Sequence, residues 1–468
     1  MQLQNQNRMF ADSAPKVSKK VTLFVTTLSS FLTTFSGSSI NVALPSIGRE
    51  LSMNVLTLSW IATGYLLTAA MFLVPFGKIA DIIGRKKIYT WGIIVNAITL
   101  FLSVIAPSGW FLLMVRALQG IGAAMIFGTA IAILSSVFPA KERGRVLGIN
   151  VSATYLGLSL GPFVGGLITQ HFGWRYIFAV STAIAVSILP FIFYKLKVEW
   201  AEARGEKFDY KGSLAYALAL VCVMYGFTSL PGITGFVLIA AGILGILLFI
   251  YHENHCTYPV LSLGLFKGNT VFVFSNLAAF INYTATFAVA FLLSLYLQYI
   301  KGFSPQEAGF IMVAQPVVMA AFSPLAGRLS DKFEPQYIAS LGMGLTAVGL
   351  LMFAFLSRET TVLFLIITLL IIGLGFALFS SPNTNAVMSA VERKDYSLAS
   401  SILGTMRLTG QAISMGITTL VFALHLGNMK ISTENLGLFL YSIRFAFVIF
   451  TIFCVAGVFA SLARGKLR

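Results

Sequence analysis

Charged residues are scarce in this chain: Asp, Glu, Lys and Arg make up 10% of its 468 residues, whereas hydrophobic residues make up 57%. A soluble globular protein carries roughly a quarter of its residues as charged groups, which cover its surface. With a mean hydropathy of +0.87, most of this surface is expected to face lipid. The scarcity of charge therefore argues against a soluble domain and indicates an integral membrane protein, embedded in the lipid bilayer.

Cysteine is also scarce. Three cysteines are spread along the chain, at Cys222, Cys256 and Cys454, so the sequence predicts neither a disulfide framework nor a metal cluster. No nucleophile stands in a recognisable pairing with a base. The chain is therefore not expected to be an enzyme, and no cofactor is expected.

Acidic residues are missing from the middle of every apolar run. All sixteen Asp and Glu residues fall in tails, loops or the ends of apolar runs, and the nearest exception, Glu307, stands at the very start of one. A carboxylate inside a membrane is the simplest group that can both bind a proton and attract a cation. Its absence predicts that a cavity within the membrane is neutral to positive and favours neutral amphipathic compounds or weak anions.

Long apolar runs are what the chain does have, and a crossing needs about 20 residues. One helix over 213–251 would be about twice the bilayer thickness, so two are predicted there. The runs predict fourteen transmembrane helices: 21–45, 56–80, 88–106, 110–136, 146–170, 174–194, 213–230, 232–251, 270–297, 306–327, 336–356, 362–388, 398–424 and 437–462.

The basic residues predict the orientation. Most of the 32 Lys and Arg residues lie in alternate loops that share a side with the N-terminal tail, and such loops are cytoplasmic in membrane proteins. We therefore expect a multi-pass protein of the cell membrane with both termini in the cytoplasm. This placement also explains the net charge of +16 without a nucleic acid partner.

One loop pattern occurs twice, as GKIADIIGRKK (77–87) and as GRLSDKFEP (327–335). Both copies have the spacing Gly-x-x-x-Asp, and they occupy corresponding places in two sets of six helices. Such internal duplication is typical of transporters built from two bundles. The predicted organisation is a cytoplasmic N-terminal tail (1–20), a first six-helix bundle (21–194), an inner loop with two linking helices (195–269), a second six-helix bundle (270–462) and a cytoplasmic C-terminal tail (463–468).

These stretches resemble the major facilitator superfamily. GKIADIIGRKK resembles its loop 2–3 signature, and RALQGIGAA (116–124) resembles its fourth-span motif. NVALP (41–45) and SWIATGYLL (59–67) are similar to the first two spans of the fourteen-span drug:proton antiporter branch. GINVSATYLGLSLGPFVGG (148–166) matches the fifth-span antiporter signature at every fixed point: Gly148, Gly157, Gly161, Pro162, Gly165 and Gly166.

The resemblance implies roles for particular residues. The loop acid and basic residue act as a gating latch between the bundles, Arg116 with Gln119 takes part in proton transfer or orients a carboxylate, and the kinked glycine-rich fifth span seals one end of the cavity by close packing. Each role has an ordinary structural alternative. The loop charges would only orient the protein in the membrane, Arg116 would only extend its charge to the membrane surface, and the glycines would only allow ordinary helix packing. The predicted gating residues are Gly77, Asp81, Gly84, Arg85, Gly327 and Asp331.

The same branch commonly carries a membrane-embedded Asp five residues before the Asn of NVALP, and here that position is Ser36. Each polar residue of the spans is, taken alone, a candidate for helix packing as well as for substrate contact. The predicted cavity residues are Thr34, Ser36, Asn41, Tyr65, Asn150, Tyr155, Asn282, Tyr283, Asn383 and Arg407.

The expected function is secondary active export of small amphipathic compounds by alternating access, with proton antiport of the multidrug efflux type. The expected partners are the small-molecule substrate and protons, and the chain is expected to act as a monomer. Two alternatives remain open: a facilitator or exchanger of a metabolite without proton coupling, and a membrane sensor that has lost transport.

Overall fold

The computed structural model describes residues 18–230, 232–261, 263–392, 396–427, 431 and 434–465, and this part of the chain is almost entirely helical. The predicted tails, 1–20 and 463–468, fall largely outside the described residues. Its sixteen α-helices are α1 (Lys19–Glu50), α2 (Val55–Ile83), α3 (Arg85–Val104), α4 (Gly109–Val137), α5 (Ala140–His171), α6 (Arg175–Lys195), α7 (Tyr210–Thr228), α8 (Ile233–His255), α9 (Thr270–Thr286), α10 (Ala288–Leu295), α11 (Pro305–Met312), α12 (Ala314–Lys332), α13 (Pro335–Ala354), α14 (Val362–Ser389), α15 (Tyr396–His425) and α16 (Leu436–Ala463).

Thirteen described segments are long and apolar enough to cross a membrane. Two of them each contain a break: α9 and α10 with a following π-helical turn make up Thr270–Ile300, and α11 with most of α12 makes up Pro305–Ser330. Helix α1 has the length of a span, but its buried face is rich in Ser and Thr. With α1 these segments are the fourteen predicted spans, and 213–251 forms two helices as the sequence favours.

Short polar residues begin many of these helices because the first backbone N–H groups of a helix have no partner within it. The side chains of Asn54 and Thr361 each accept a hydrogen bond from the third residue of the helix that follows. Ser304 and Glu307 form a complete capping box at the start of α11. Glu307, the acid nearest to an apolar run, therefore has a structural partner at a helix terminus.

The helices form the predicted all-α architecture. Helices α1–α6 make one six-helix bundle, α9–α16 make the second, and α7 and α8 link them. Helix α7 packs against both bundles: the Tyr216 hydroxyl donates to the carbonyl oxygen of Ala70 in α2 at 3.4 Å, and Gly416 of α15 lies against Met224 and Phe227. Helix α7 thus covers the line where the two bundles meet, and α8 packs against α7.

Candidate functional site

The two bundles enclose a central cavity of about 580 Å³. Its wall includes Asn41 and Leu293 deep between the bundles, and it extends to Asp81 and Glu202 at the loop that follows α2. We call this loop end the mouth and the opposite end the seal. Ligand pockets in proteins have volumes of about 300–1,000 Å³, so the cavity can hold a drug-sized molecule.

Hydrogen bonds between the bundles close the seal. The Ser294 hydroxyl of α10 donates to the carbonyl oxygen of Asn41 in α1 at 2.6 Å. The Ser59 and Thr419 hydroxyl oxygens, in α2 and α15, lie 3.0 Å apart. All four residues are buried. These contacts join the two bundles directly, without the connecting loops.

The antiporter-type signature supplies the close packing at this end. A Cβ atom on any of its middle glycines would collide with α1 within residues 31–39, and these glycines are Gly157, Gly161 and Gly165. A Cβ on Gly166 would meet the Pro305 carbonyl of the second bundle, and one on Gly309 would meet the Pro162 carbonyl. Contacts between backbones at this distance require glycine, so the signature forms two tight interfaces.

Arg116 lies in the wall of the cavity and is 1% exposed. Its guanidinium donates to the Gln119 side-chain oxygen and stacks on the Tyr65 ring, 4.3 Å from the ring centroid. The Gln119 amide in turn donates to Ser36 Oγ at 3.3 Å and to Asn96 Oδ1 at 3.2 Å. Among the described residues no carboxylate forms a salt bridge with Arg116, so its charge is balanced only by dipoles and an aromatic face.

A second cation faces the cavity from the other bundle. The Arg407 guanidinium lies 5.3 Å from the centroid of the Tyr283 ring, and the Tyr283 ring meets Phe376 edge-on at a centroid distance of 5.6 Å. Nearby, the hydroxyl oxygens of Tyr155 and Ser380 lie 2.9 Å apart and connect the bundles. This side of the cavity therefore combines aromatic faces with one permanent positive charge.

The mouth carries a network of ion pairs centred on Arg85, which is 4% exposed. The Arg85 Nε atom donates to Asp81 at 2.7 Å, and its terminal nitrogens donate to both carboxylate oxygens of Glu202 at 2.7 and 2.9 Å. Glu202 belongs to the linker between α6 and α7. In the same linker, Glu206 pairs with Lys78 at 2.6 Å. In this conformation the linker therefore pairs with Arg85, one of the predicted gating residues.

Glycine is required where the linker crosses the loop. Gly84 has φ +127°, which side chains rarely adopt, and a Cβ there would also collide with the Glu199 carboxyl group. That carboxyl accepts a hydrogen bond from the Lys86 backbone N–H at 2.8 Å. The second copy of the loop pattern is less fully defined: Gly327 faces the Ser381 hydroxyl, and the side chain of Asp331 lies outside the described residues.

The structure divides the predicted cavity residues into two groups. Six of them line the cavity: Thr34, Asn41, Tyr65, Tyr155, Tyr283 and Arg407. Four others are buried away from its lining: Ser36, Asn150, Asn282 and Asn383.

These buried polar residues pack between helices. Asn150 of α5 donates to the Thr26 carbonyl oxygen at 3.1 Å, and Asn383 of α14 donates to the Ser275 carbonyl oxygen at 3.1 Å. Among the remaining signature residues, Gly77 and Pro162 line the cavity, whereas a Cβ on Gly148 would have no atom within 4 Å.

The charged lining residues are mostly cationic. Within the part of the chain that the structure describes, the lining carboxylates are Asp81 and Glu202, both at the mouth, and the deeper charges are Arg116 and Arg407. Sequence reasoning missed Glu202, because nothing in a mixed-charge linker indicates which acid folds back. It also missed the lining amides Gln315 and Gln411, which stand in no motif.

A family model described as Major Facilitator Superfamily matches residues 26–276 and 275–466 of this chain. The riboflavin transporter RibZ of Clostridioides difficile is 30% identical over 406 residues, which are 86% of this chain and 88% of that protein. The multidrug resistance protein Stp of Mycobacterium tuberculosis is 29% identical over 412 residues, 86% of this chain and 76% of Stp. The methylenomycin A resistance protein of Streptomyces coelicolor is 27% identical over 403 residues, 84% of this chain and 83% of that protein.

Solved structures share the fold. A bacterial homologue of the human lysosomal transporter Spinster, in an inward-facing conformation, superposes with a TM-score of 0.70 at 17% identity and covers 97% of this chain and 98% of its own. The nucleoside transporter NupG superposes with a TM-score of 0.63 at 14% identity, over 95% of this chain and all of NupG.

Proposed function

Because this chain belongs to the Major Facilitator Superfamily of membrane transporters, we propose that it exports small amphipathic molecules by alternating access, in exchange for protons. The mouth faces the cytoplasm in this proposal, both termini lie on that side of the cell membrane, and a single chain suffices for transport. The relatives named for resistance to drugs or to methylenomycin A support the direction of transport.

One observation carries the proposal: a drug-sized cavity lies between two bundles that are bonded together at one end and gated by ion pairs at the other. The seal consists of hydrogen bonds and glycine contacts, and the mouth of charged pairs that can exchange partners. Such contacts form two-state elements. Breaking the seal while closing the mouth would present the same cavity to the other side of the membrane.

The lining favours neutral or weakly anionic substrates with aromatic character. Arg116 and Arg407 supply positive potential to a cavity without a deep carboxylate among its described lining residues, which disfavours lipophilic cations. Tyr65, Tyr155 and Tyr283 offer aromatic faces and hydroxyl groups. The absence of a deep acid also means that proton exchange would use the mouth carboxylates of the gate.

A second candidate substrate is riboflavin itself. The relative at 30% identity is named a riboflavin transporter, and a flavin is a planar, neutral and hydrogen-bonding molecule. Its ring system could stack on the aromatic wall formed by Tyr283 and Phe376, with Gln315 and Gln411 as amide partners in the lining. This candidate shares the cavity and differs from efflux in the substrate and in the direction of net transport.

Transport by inverted membrane vesicles tests the substrate class. We expect a neutral aromatic antibiotic or riboflavin to accumulate at least about tenfold faster than a lipophilic cation of similar size, because a difference of about 1.4 kcal/mol in binding is tenfold. Vesicles without the protein are the control. Preferred uptake of the cation would contradict the reading of the cavity.

Replacing Glu202 by Gln should lower the ratio of mouth-open to mouth-closed protein about fivefold. The side chain of Glu202 is 67% exposed, and solvent weakens ion pairs. Its bidentate pair with Arg85 therefore stabilises the open mouth by about 1 kcal/mol, which corresponds to about fivefold. Spin labels on Lys87→Cys and Lys332→Cys, both exposed near the mouth in different bundles, report this ratio as two populations of distances.

The matched control for this experiment is Glu142→Gln. Glu142 pairs with Lys19 at 3.0 Å, an ion pair within the first bundle that does not involve the linker. We expect its distance populations to equal those of the parent. If the distance populations of the Glu202→Gln variant also equal those of the parent, the linker does not hold the mouth open.

A further inference from the structure

Three side chains with metal-binding chemistry meet where the linking helices begin and end. The ligand atoms of Asp209, His252 and Cys256 all lie within 4.8 Å of one another, and His252 Nε2 is 2.9 Å from Asp209 Oδ2. Asp209 directly precedes α7, whereas His252 and Cys256 lie at the end of α8. The cluster is outside the central cavity, and the transport proposal does not use it.

The backbone holds these groups in place. Asp209 Oδ1 accepts a hydrogen bond from the Gly212 backbone N–H at 3.0 Å and so caps α7, and its side chain is 7% exposed. This leaves Oδ2 directed at the cluster. His252 and Cys256 are four residues apart on the end of α8, and this spacing places both side chains on one face. Two short helical segments therefore present three ligand atoms to one point.

Glu253 adds an independent observation. It is 3% exposed, and its Oε2 atom accepts a hydrogen bond from the Leu261 backbone N–H at 2.8 Å. Its Oε1 atom receives no hydrogen bond from a donor group among the described residues, and it lies within hydrogen-bonding reach of the Asp209 carboxyl group. A Cβ on Gly212 would collide with the Asp209 Oδ2 atom and would approach Glu253 Oε1 at 2.6 Å, so both oxygens face the same small space. Two buried carboxylates that face each other repel, and a cation bound to Asp209 would relieve that repulsion.

We propose that Asp209, His252 and Cys256 bind one Zn²⁺ ion, with the neighbouring Glu253 carboxylate adding negative charge beside it. A thiolate, an imidazole and a carboxylate form a mixed sulfur, nitrogen and oxygen set, which suits a borderline-soft ion in tetrahedral geometry with solvent in the fourth position. Mg²⁺ and Ca²⁺ prefer oxygen ligands alone. A plain Asp209–His252 ion pair would explain one contact of the cluster and would leave Cys256 without a role.

The position of the site gives the ion a structural consequence. A metal bound there ties the start of α7 to the end of α8. Asp209 is the last residue of the linker, in which Glu202 pairs with Arg85 and Glu206 pairs with Lys78. The ion would fix one end of that linker a few residues from the mouth. This consequence is separate from the metal binding, which stands or falls without any transport activity.

Titration of the full-length purified protein with Co²⁺ tests the site, using a chain that carries no histidine affinity tag. We expect one Co²⁺ per chain with a cobalt–thiolate charge-transfer band, displaced by Zn²⁺. Cys256→Ser should abolish that band, and His252→Ala should weaken metal affinity at least about tenfold. Two controls remove the same chemistry elsewhere: Cys222→Ser in α7 and His255→Ala, whose ring bonds to the Tyr251 carbonyl oxygen at 2.8 Å.

Two results would overturn the assignment of Cys256 as a metal ligand. One is a cobalt–thiolate band that survives Cys256→Ser, and the other is a band that disappears in Cys222→Ser. Glu253→Gln keeps the hydrogen bond to Leu261 available and should weaken metal affinity without unfolding the protein, as monitored by its thermal midpoint. Absence of stoichiometric Co²⁺ binding to the folded parent protein also overturns the proposal.

Discussion

A disulfide between Ser59→Cys and Thr419→Cys should abolish transport, and a reducing agent should restore it. The two hydroxyl oxygens are 3.0 Å apart and fully buried at the seal, so sulfur atoms in their place can reach bonding distance with small adjustments. The bond would join α2 of the first bundle to α15 of the second. Because the seal must open for release on the far side, a covalent seal stops the cycle with the mouth open.

The experiment has a matched control within one bundle. Ser340 and Ser461 lie in α13 and α16 of the second bundle, and their hydroxyl oxygens are 2.9 Å apart. A disulfide at Ser340→Cys and Ser461→Cys should form equally well and leave transport near the reduced rate. All variants use a background in which the native cysteines are replaced by serine. Full transport by the oxidised Ser59→Cys and Thr419→Cys protein would refute the seal as a moving interface.

Arg116→Gln should reduce transport at least about tenfold and leave the protein at least as stable as the parent. Arg116 is buried with Gln119 and the Tyr65 ring as its partners, and its Nε atom has none among the described residues. A buried charge without a counter-ion costs free energy, so its removal should not destabilise the protein. Its positive charge at the cavity wall is lost, so a weakly anionic substrate loses its Coulombic attraction and a neutral, polar substrate loses a charge–dipole attraction. The measurements are the transport rate, the apparent KM and the thermal midpoint in detergent.

The matched control is Arg444→Gln, which removes the same charge from an exposed position in the first third of α16, where Arg444 donates to the Ala354 carbonyl oxygen at 2.9 Å. We expect transport within about twofold of the parent. Arg116→Lys keeps the charge and loses the planar stack on Tyr65, so its transport rate should lie between those of Arg116→Gln and Arg444→Gln. A drop in thermal midpoint that parallels the loss of transport would assign Arg116 a structural role instead.

The helices could be predicted from sequence because each apolar run is long and ends in capping or turn residues. Asn54 and Ser108 begin α2 and α4 as N-caps, and neither position depends on distant contacts. The breaks at Phe287 and Val313 were not predicted, because the runs stay apolar across them. An apolar run shows which residues can lie in the membrane, but it does not show where a helix bends.

The rotation of each side chain was harder to predict. Ser36 has the position that the branch gives to an acid, yet its hydroxyl accepts a hydrogen bond from the Gln119 amide and is not part of the cavity lining. A neighbour one residue away, Gly37, does line the cavity. When a helix is surrounded by other helices, each of its faces is covered by a neighbouring helix or by the cavity. Hydrophobic periodicity therefore does not distinguish the face that lines the cavity from the faces that pack against other helices.

Contacts between distant segments were outside the reach of sequence reasoning. Glu202 meets Arg85 across 117 residues, and Asp209 meets His252 across 43. Both contacts depend on how the linker folds over the ends of the bundles. The motif around Asp81 indicated a gate from its own residues, but its partner in this conformation is set by tertiary structure.

The pH dependence of transport into inverted vesicles tests proton-coupled export most directly. The interior of an inverted vesicle corresponds to the outside of the cell, so it is made acidic. We then expect the preferred neutral substrate to accumulate inside against its gradient, because its movement inward is coupled to proton movement outward. Collapsing the pH difference with an ionophore should reduce accumulation to equilibration. Accumulation that is unchanged after the collapse would contradict proton antiport and favour a facilitator or exchanger.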